Sequence, residues 1–250
     1  MAFLSIIIPA YNEEQRLADS LDKILAFLSR QKFTAEIIVV ENGSCDRTAE
    51  IAQLYETRFP EVHLIQETRA GKGLAVRRGI LAASGTYRFI CDADLSMPIE
   101  QVTRFLPPVC KNYDIAIGSR EVPGAMRYNE PESRHLIGRI YSLLVRLIAL
   151  PGLQDTQCGF KCFHQTIVEP LFSVQQLDGW AFDVELLYIA QKRGMNIIEI
   201  PIDWYYRPGS RIRILRDSVN MFSDLFAIRR NWRQGKYEPS ETSLIPNSED

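Results

Sequence analysis

Phe3-Leu-Ser-Ile-Ile-Ile-Pro-Ala-Tyr-Asn-Glu13 is an apolar run that halts at a proline and turns polar. A short continuous apolar run of this kind fits a strand buried on both faces, because a half-exposed strand would alternate apolar with polar side chains. Working outward, Leu17, Leu21, Ile24, Leu25 and Leu28 recur at helical spacing. Ile37-Ile-Val-Val40 reads as a second buried strand, and a helical pattern follows over 47–57. Residues 62–66, a helix near 74–83, then 87–91 and 114–118 repeat the unit. Buried strands separated by helices predict an α/β, doubly wound, mostly parallel sheet covered on both faces. Ligands of such sheets lie beyond the carboxyl ends of the strands.

The chain has 250 residues, enough for one large domain or two small ones, with a sizeable core either way. Its formal charge of −2 excludes a globally basic nucleic-acid binder. That total is a cancellation. Residues 207–236 hold eight basic side chains against two acidic ones, a net +6 that leaves −8 on the rest. The five cysteines are scattered and read as reduced thiols, and Cys158 and Cys162 lack the spacing of a zinc site. The first nine residues carry no basic segment or cleavage signal and read as a strand, not a signal peptide. The longest apolar helical stretch, 136–150, is broken by Arg139 and Arg146, so no transmembrane span is expected.

The second half is less regular. Segment 119–135, rich in charge, Gly and Pro, reads as a mobile loop. In the next helix Leu136, Ile137, Ile140, Tyr141, Leu144, Leu147 and Ile148 share one face, with Arg139, Ser142 and Arg146 opposite. A helix near 178–193, strand-like 196–200 and 203–206, and an arginine-flanked amphipathic helix around Leu215, Val219, Phe222 and Phe226 follow. Residues 237–250 are polar and read as a disordered tail.

Polar groups follow three successive strands: Pro9-Ala-Tyr-Asn-Glu13, Glu41-Asn-Gly-Ser-Cys-Asp46 and Asp92-Ala-Asp94. Helix capping by Asn12, Ser44 and Asp46 would account for any one of these turns, but poorly for all three together. Asp92 and Asp94, anchored by the strand before them, can share a hard cation such as Mg²⁺ or Mn²⁺ that completes its shell with phosphate oxygens. Tyr11 can stack on a base, Glu13 and Asn42 can hydrogen-bond a nucleoside, and Lys72 between Gly71 and Gly73 can reach phosphate. The glycines are read as letting backbone approach a ligand. Neither a dinucleotide fingerprint nor a P-loop is present.

These motifs, with Ile117-Gly-Ser-Arg120, Asp155-Thr-Gln-Cys-Gly-Phe-Lys161 and Gly179-Trp-Ala-Phe-Asp-Val-Glu185 downstream, resemble the family 2 glycosyltransferases of GT-A fold. Within them the chain is similar to the polyprenyl- and dolichyl-phosphate hexose synthases, especially the glucose branch. The resemblance covers residues 3–235. It implies a single domain over 1–235, with a nucleotide-sugar half (1–118) and an acceptor half (119–235) carrying the amphipathic helices. It further implies that Pro9, Tyr11, Glu13, Val40 and Asn42 surround the donor nucleoside, and that Asp92, Ala93 and Asp94 hold metal and diphosphate. Arg120, Arg207 and Arg134 match basic positions that meet donor or acceptor phosphate, and Asp183 matches a segment that often carries the base. Two departures stand out. Glu41-Asn42 replaces the usual Asp-Asp, and Ser96 stands where mannose synthases often have Gln.

The implied reaction is inverting transfer of a hexose, glucose from UDP-glucose, to polyprenyl or dolichyl phosphate. GDP-mannose or UDP-N-acetylhexosamine donors, a soluble acceptor, or a non-catalytic binding module are the rivals, and the intact Asp92/Asp94 pair argues against the last. Glu185 and Asp183 can equally be favourable charges at a helix N-terminus. His63, His135 and His164 are isolated, and Trp180 and Trp204 read as core before sugar site. The amphipathic helices either lie on a cytoplasmic membrane face or pack on the core. The oligomeric state is left open.

Overall fold

The apolar run that opens the chain becomes the middle strand of a Rossmann-like half. The computed structural model describes residues 2–207 and 214–238, apart from the side chains of 133, 134, 136, 137 and 214–219. In it β1 (Leu4–Ala10), α1 (Leu17–Leu28), β2 (Ala35–Asn42), α2 (Thr48–Arg58), β3 (Val62–Glu67), α3 (Lys72–Ala82) and β4 (Tyr87–Ile90) alternate as the hydrophobic pattern predicts. A 3₁₀ turn (Ile99–Phe105), β5 (Ile115–Ser119), β6 (Met126–Tyr128) and α4 (Glu132–Ile148) follow. Then come β7 (Lys161–His164), α5 (Gln165–Phe172), α6 (Phe182–Lys192), β8 (Ile197–Pro201), β9 (Asp203–Tyr205) and α7 (Ile214–Arg233).

Seven strands form one sheet in the order β3-β2-β1-β4-β7-β5-β8. Every pairing is parallel except those of β7, which runs antiparallel between β4 and β5. The double-sided burial expected from the continuous runs is present. Leu4, Ile6 and Ile8 enter one core layer with Val39 and Phe89, while Ile7, Ile38, Val40 and Ile90 enter the other beneath α3, α5 and α6. Each such side chain contributes about 1.5–3 kcal/mol on burial. A Cβ on Gly79 would lie 2.6 Å from Ile7 Cγ2 and 2.8 Å from Val40 Cγ2, so α3 sits hard against the sheet.

Four expectations for the second half change. Segment 119–135 is not loop throughout. β6 pairs in parallel with β9 to make a two-stranded ribbon, and Arg127 is tied to Glu121 and Glu130. The expected apolar face of α4 is divided: Tyr141 and Ile148 pack inward with Val145 and Ala149, whereas Ile140 (53% exposed), Leu143 and Leu147 (73% exposed) face solvent. Likewise α7 buries Met221, Leu225 and Ile228 and leaves Phe222 and Phe226 exposed, their rings 5.3 Å apart. Finally, Tyr237 is not part of a tail. It is buried, and its hydroxyl donates to Glu185 Oε1 at 2.8 Å. The tail expected beyond it, 239–250, lies outside the described residues, as do Arg211, Arg213 and the side chain of Arg216.

Candidate active site

The crevice at the carboxyl ends of β1, β2 and β4 is built by loops that hold one another. Asn12, in the left-handed region at φ 55°, accepts from the Cys45 amide with its Oδ1, and its own amide donates to Ser44 Oγ. The Glu13 amide donates to Thr48 Oγ1, and Asp46 Oδ1 accepts from the Thr48 amide and hydroxyl at the start of α2. Asn12, Ser44 and Asp46, expected as caps, instead couple the loops, and the N-cap positions of α1 and α2 are Arg16 and Arg47, which make no side-chain capping bond. Glu41 is buried and turns inward to accept from the Ser44 amide, closing the Glu41–Ser44 turn. Asn42 is buried, and its amide nitrogen donates to the Gly71 carbonyl. Tyr11 stands exposed at the rim. Val40 is wholly buried in the sheet against Ile7 and α3, so it forms the floor of the crevice rather than a surface a ligand can meet.

Asp92 and Asp94 leave β4 on a tight turn. Ala93 is buried and its carbonyl accepts from Ser20 Oγ, Asp94 Oδ1 accepts from the Ser96 amide, and Leu95 takes φ 44°. A branched residue in that region costs on the order of 1–3 kcal/mol, strain of a kind that gathers at functional sites. The Lys72 ammonium lies 2.6 Å from Asp92 Oδ1 and 5.4 Å from the centre of the Trp180 ring. Burial raises the Asp92 carboxyl, but Lys72, joined by Lys161 and Arg120, overcomes this and holds it below the usual carboxylate range. Burial and the Asp92 charge together push Asp94 the other way, upward. Arg16 Nη1 stands 4.0 Å from Asp94 Oδ2.

The glycines flanking Lys72 have a different partner from the one expected. A Cβ on Gly71 (φ 155°) would meet the Asp178 carbonyl at 2.6 Å, and one on Gly73 the Leu177 carbonyl at 2.6 Å. Their smallness lets the 177–178 backbone close on the start of α3, which brings Trp180 over Lys72. Trp180 is therefore a residue of the site, while Trp204 is buried in the core between the guanidiniums of Arg120 and Arg127.

Segment 155–161 supplies what the strand-end rule did not find. Asp155 clasps Arg120 through Nε (2.6 Å) and Nη2 (2.8 Å) and accepts its amide as well (2.9 Å). Burial opposes the Asp155 charge, but the Arg120 guanidinium outweighs it and brings the carboxyl down to about 2. Nη1 of Arg120 stays outside this clasp. Gly159 lies under Asp92 so closely that a Cβ there would be 2.0 Å from Oδ2. Lys161, buried at the head of β7, places its ammonium 2.8 Å from Asp183 Oδ1. Burial raises the Asp183 carboxyl despite Lys161 and Lys72. Glu185, two residues along the same helix start, accepts from the Gln176 and Leu177 amides and the Tyr237 hydroxyl, which makes it a brace for the 173–178 loop.

Gly159 and Lys161 were not singled out from the sequence. The readable signal was a lysine heading the otherwise apolar stretch Lys161-Cys-Phe. Of the remaining expected residues, Pro9 is partly buried at the end of β1, and Arg207 is exposed just past β9. The Arg134 side chain lies outside the described residues. His63 and His135 are surface groups within 4.0 Å of Glu36 and Glu130, and His164 meets Thr166. Among the described residues no three His, Cys, Asp or Glu side chains cluster as a metal site, and Cys158 and Cys162 are free buried thiols pushed up to about 12 by burial.

The chain matches the glycosyl transferase family 2 model over residues 5–172. It is 38% identical over 241 residues to a dolichyl-phosphate beta-glucosyltransferase of Drosophila melanogaster, covering 90% of this chain and 74% of the relative. Relatives of the same description from Homo sapiens (35% identical, 96% and 78% covered) and Trichomonas vaginalis (34%, 99% and 77%) align similarly. Among solved structures, glucosyl-3-phosphoglycerate synthase from Mycobacterium tuberculosis in complex with Mn²⁺, UDP-glucose and phosphoglyceric acid superposes with a TM-score of 0.64 at 20% identity, covering 99% of this chain and 81% of that one. Its complex with Mg²⁺ and UDP gives 0.64 at 21% identity and the same coverage. The shared architecture is the GT-A fold.

Proposed function

This chain belongs to glycosyl transferase family 2, among the dolichyl-phosphate beta-glucosyltransferases, and from that membership we propose that it transfers glucose from UDP-glucose to dolichyl or polyprenyl phosphate with inversion. The observation that carries the reading is the meeting of Asp92, Asp94, Lys72 and Arg120 in one crevice at the strand ends of such a chain. Two carboxylates, a lysine and an arginine in this arrangement suit a diphosphate donor and a phosphate acceptor.

The donor nucleoside would lie against Pro9, Tyr11, Glu13 and Asn42, above a floor that includes buried Val40. The residues present fit a divalent cation. Asp92 already holds a cation, the Lys72 ammonium, and two carboxylates without further ligands suit Mg²⁺ or Mn²⁺ that take their other oxygens from diphosphate and water. Asp92 and Asp94 would hold it, and bound there it would neutralise charge growing on the departing UDP. Lys72 would turn from Asp92 toward the donor phosphates. Arg120, oriented by Asp155, would offer Nη1 to the acceptor phosphate, with Arg207 and Arg134 assisting.

An acceptor phosphate oxygen then attacks the anomeric carbon as the bond from that carbon to the UDP oxygen breaks, the electron pair leaving with UDP. A dianionic acceptor needs no base. A monoanionic one gives its proton to Asp183, whose raised affinity for protons suits the task. Most of the rate is then positioning and charge stabilisation.

The chain is further proposed to work at a cytoplasmic membrane face. Among the described residues no helix is long and apolar enough to cross a membrane. Support for surface attachment is the exposed apolar set Ile140, Leu143, Leu147, Phe222 and Phe226, accompanied by Arg139, Arg146, Arg230 and Arg233. The test of the reaction is incubation of the purified chain with UDP-glucose, dolichyl phosphate and Mg²⁺ or Mn²⁺, followed by NMR of the extracted lipid. A β-linked glucosyl phosphate is expected, and an α-linked product would contradict inversion.

A further inference from the structure

Lys161 is 1% exposed in the middle of a sheet, where it faces Ile90 on β4 and Ile117 on β5 and is followed by buried Cys162 and Phe163. A charge taken out of water at such a place is destabilising unless its partners are well arranged. Its partners are Asp183 Oδ1 at 2.8 Å and the Cys158 carbonyl. None of the nucleoside, diphosphate or acceptor contacts proposed above uses this lysine. Nor does α6 require it, since a carboxylate in the first turn already suits the helix dipole.

We propose that Lys161 is a positioning residue for glucosyl transfer: it holds Asp183 by one oxygen, so that the other is presented to the acceptor phosphate. The proposal rests on the reading of Asp183 as the group that meets that phosphate. Its geometric strength is that both ends are fixed. Lys161 is locked by strand pairing on both sides, and Asp183 projects from the rigid start of α6 behind Trp180, so the carboxylate has little freedom to swing. Lys161 also opposes the effect of burial on Asp183, and its charge is felt by Asp92 and Asp155. One buried ammonium thereby links the carboxylates of the donor and acceptor sides.

The experiment is a double-mutant cycle on the full chain with Lys161→Met, Asp183→Asn and the two combined, read as kcat, KM for UDP-glucose and UDP affinity. If Lys161 acts through Asp183, each single variant lowers kcat by roughly a hundred-fold. The double variant is then no slower than Asp183→Asn, and UDP affinity stays within about three-fold throughout. Lys161→Arg, which keeps the cation, restores most of kcat. An inactive Asp183→Asn beside a fully active Lys161→Met overturns the clamp alone. Losses that multiply in the double variant overturn it as well. A fully active Asp183→Asn overturns the reading of Asp183 and the clamp with it. Should Lys161→Met fail to fold, the double variant, which buries no lone charge, decides: kcat equal to that of Asp183→Asn supports the clamp, and a further hundred-fold loss overturns it.

Discussion

The two halves of the molecule place their polar residues by different means. In residues 1–118, the half proposed to receive the donor, the candidate side chains sit in loops at the ends of parallel strands, and hydrogen bonds between neighbouring loops hold them. In residues 119–235, the half proposed to receive the acceptor, buried charged side chains are clasped in pairs, Arg120 by Asp155 and Lys161 by Asp183. Asp92 and Asp94 remain 28% and 29% exposed, against 5% for Asp155 and 9% for Asp183. The difference suggests a division of labour in which the donor half receives ligand and the acceptor half fixes geometry for the step.

The strongest way to break this comparison is at Asp94. Asp94→Ala is expected to lower kcat on the order of a thousand-fold and to abolish stimulation by added Mg²⁺ or Mn²⁺. A variant that keeps its metal response would remove the donor half from the chemistry. Next in size is Gly159→Ala. The new methyl must displace the Asp92 carboxylate, so Mn²⁺ affinity measured by electron paramagnetic resonance should weaken roughly ten- to a hundred-fold with the fold retained. Unchanged Mn²⁺ binding would mean that Asp92 does not depend on its seat.

The acceptor half is sharpened by acid. The Asp155 carboxyl is lower in the folded chain, about 2, than the ordinary value of about 3.9 in an unfolded one. Its contribution is therefore complete above pH 4 and lost as pH falls toward 2. Wild type should lose on the order of 2 kcal/mol more than Asp155→Asn across that window, as followed by denaturant unfolding. Parallel acid curves for the two proteins would show that the clasp is not ionic. The smallest effect on turnover is expected at the surface. Leu147→Glu with Phe226→Glu should reduce flotation with anionic vesicles several-fold, yet leave kcat on detergent-dispersed acceptor within about two-fold. Undiminished flotation would detach these helices from any membrane role.

This asymmetry also explains what the sequence made legible. The two central strands of residues 1–118, β1 and β2, are continuous apolar runs, and the turns after parallel strands follow a general rule, so Asp92 and Asp94 were legible by position, whereas Lys72 was read from its flanking glycines. The core of the acceptor half depends on an antiparallel insertion. β7 is four residues long and pairs with strands 71 and 44 residues upstream in sequence, Lys161 facing Ile90 and Ile117. No local periodicity encodes that register. The roles of Gly159 and Lys161 exist only once it is formed. β6 was hidden for a similar reason, being three residues long, although its partner β9 was legible as the strand-like stretch 203–206. α4 shows a further limit: periodicity identified the helix but not which side of a broad apolar stripe the core would take.

The central claim is a glucosyl transfer to a lipid phosphate. Its most direct measurement is a donor panel of labelled UDP-glucose, GDP-mannose and UDP-N-acetylglucosamine, each incubated with the purified chain, dolichyl phosphate and Mg²⁺ or Mn²⁺, and then extracted into butanol. Label in the organic phase from UDP-glucose alone is the predicted result. Label entering it from GDP-mannose instead, or remaining in water with every donor, would contradict the account.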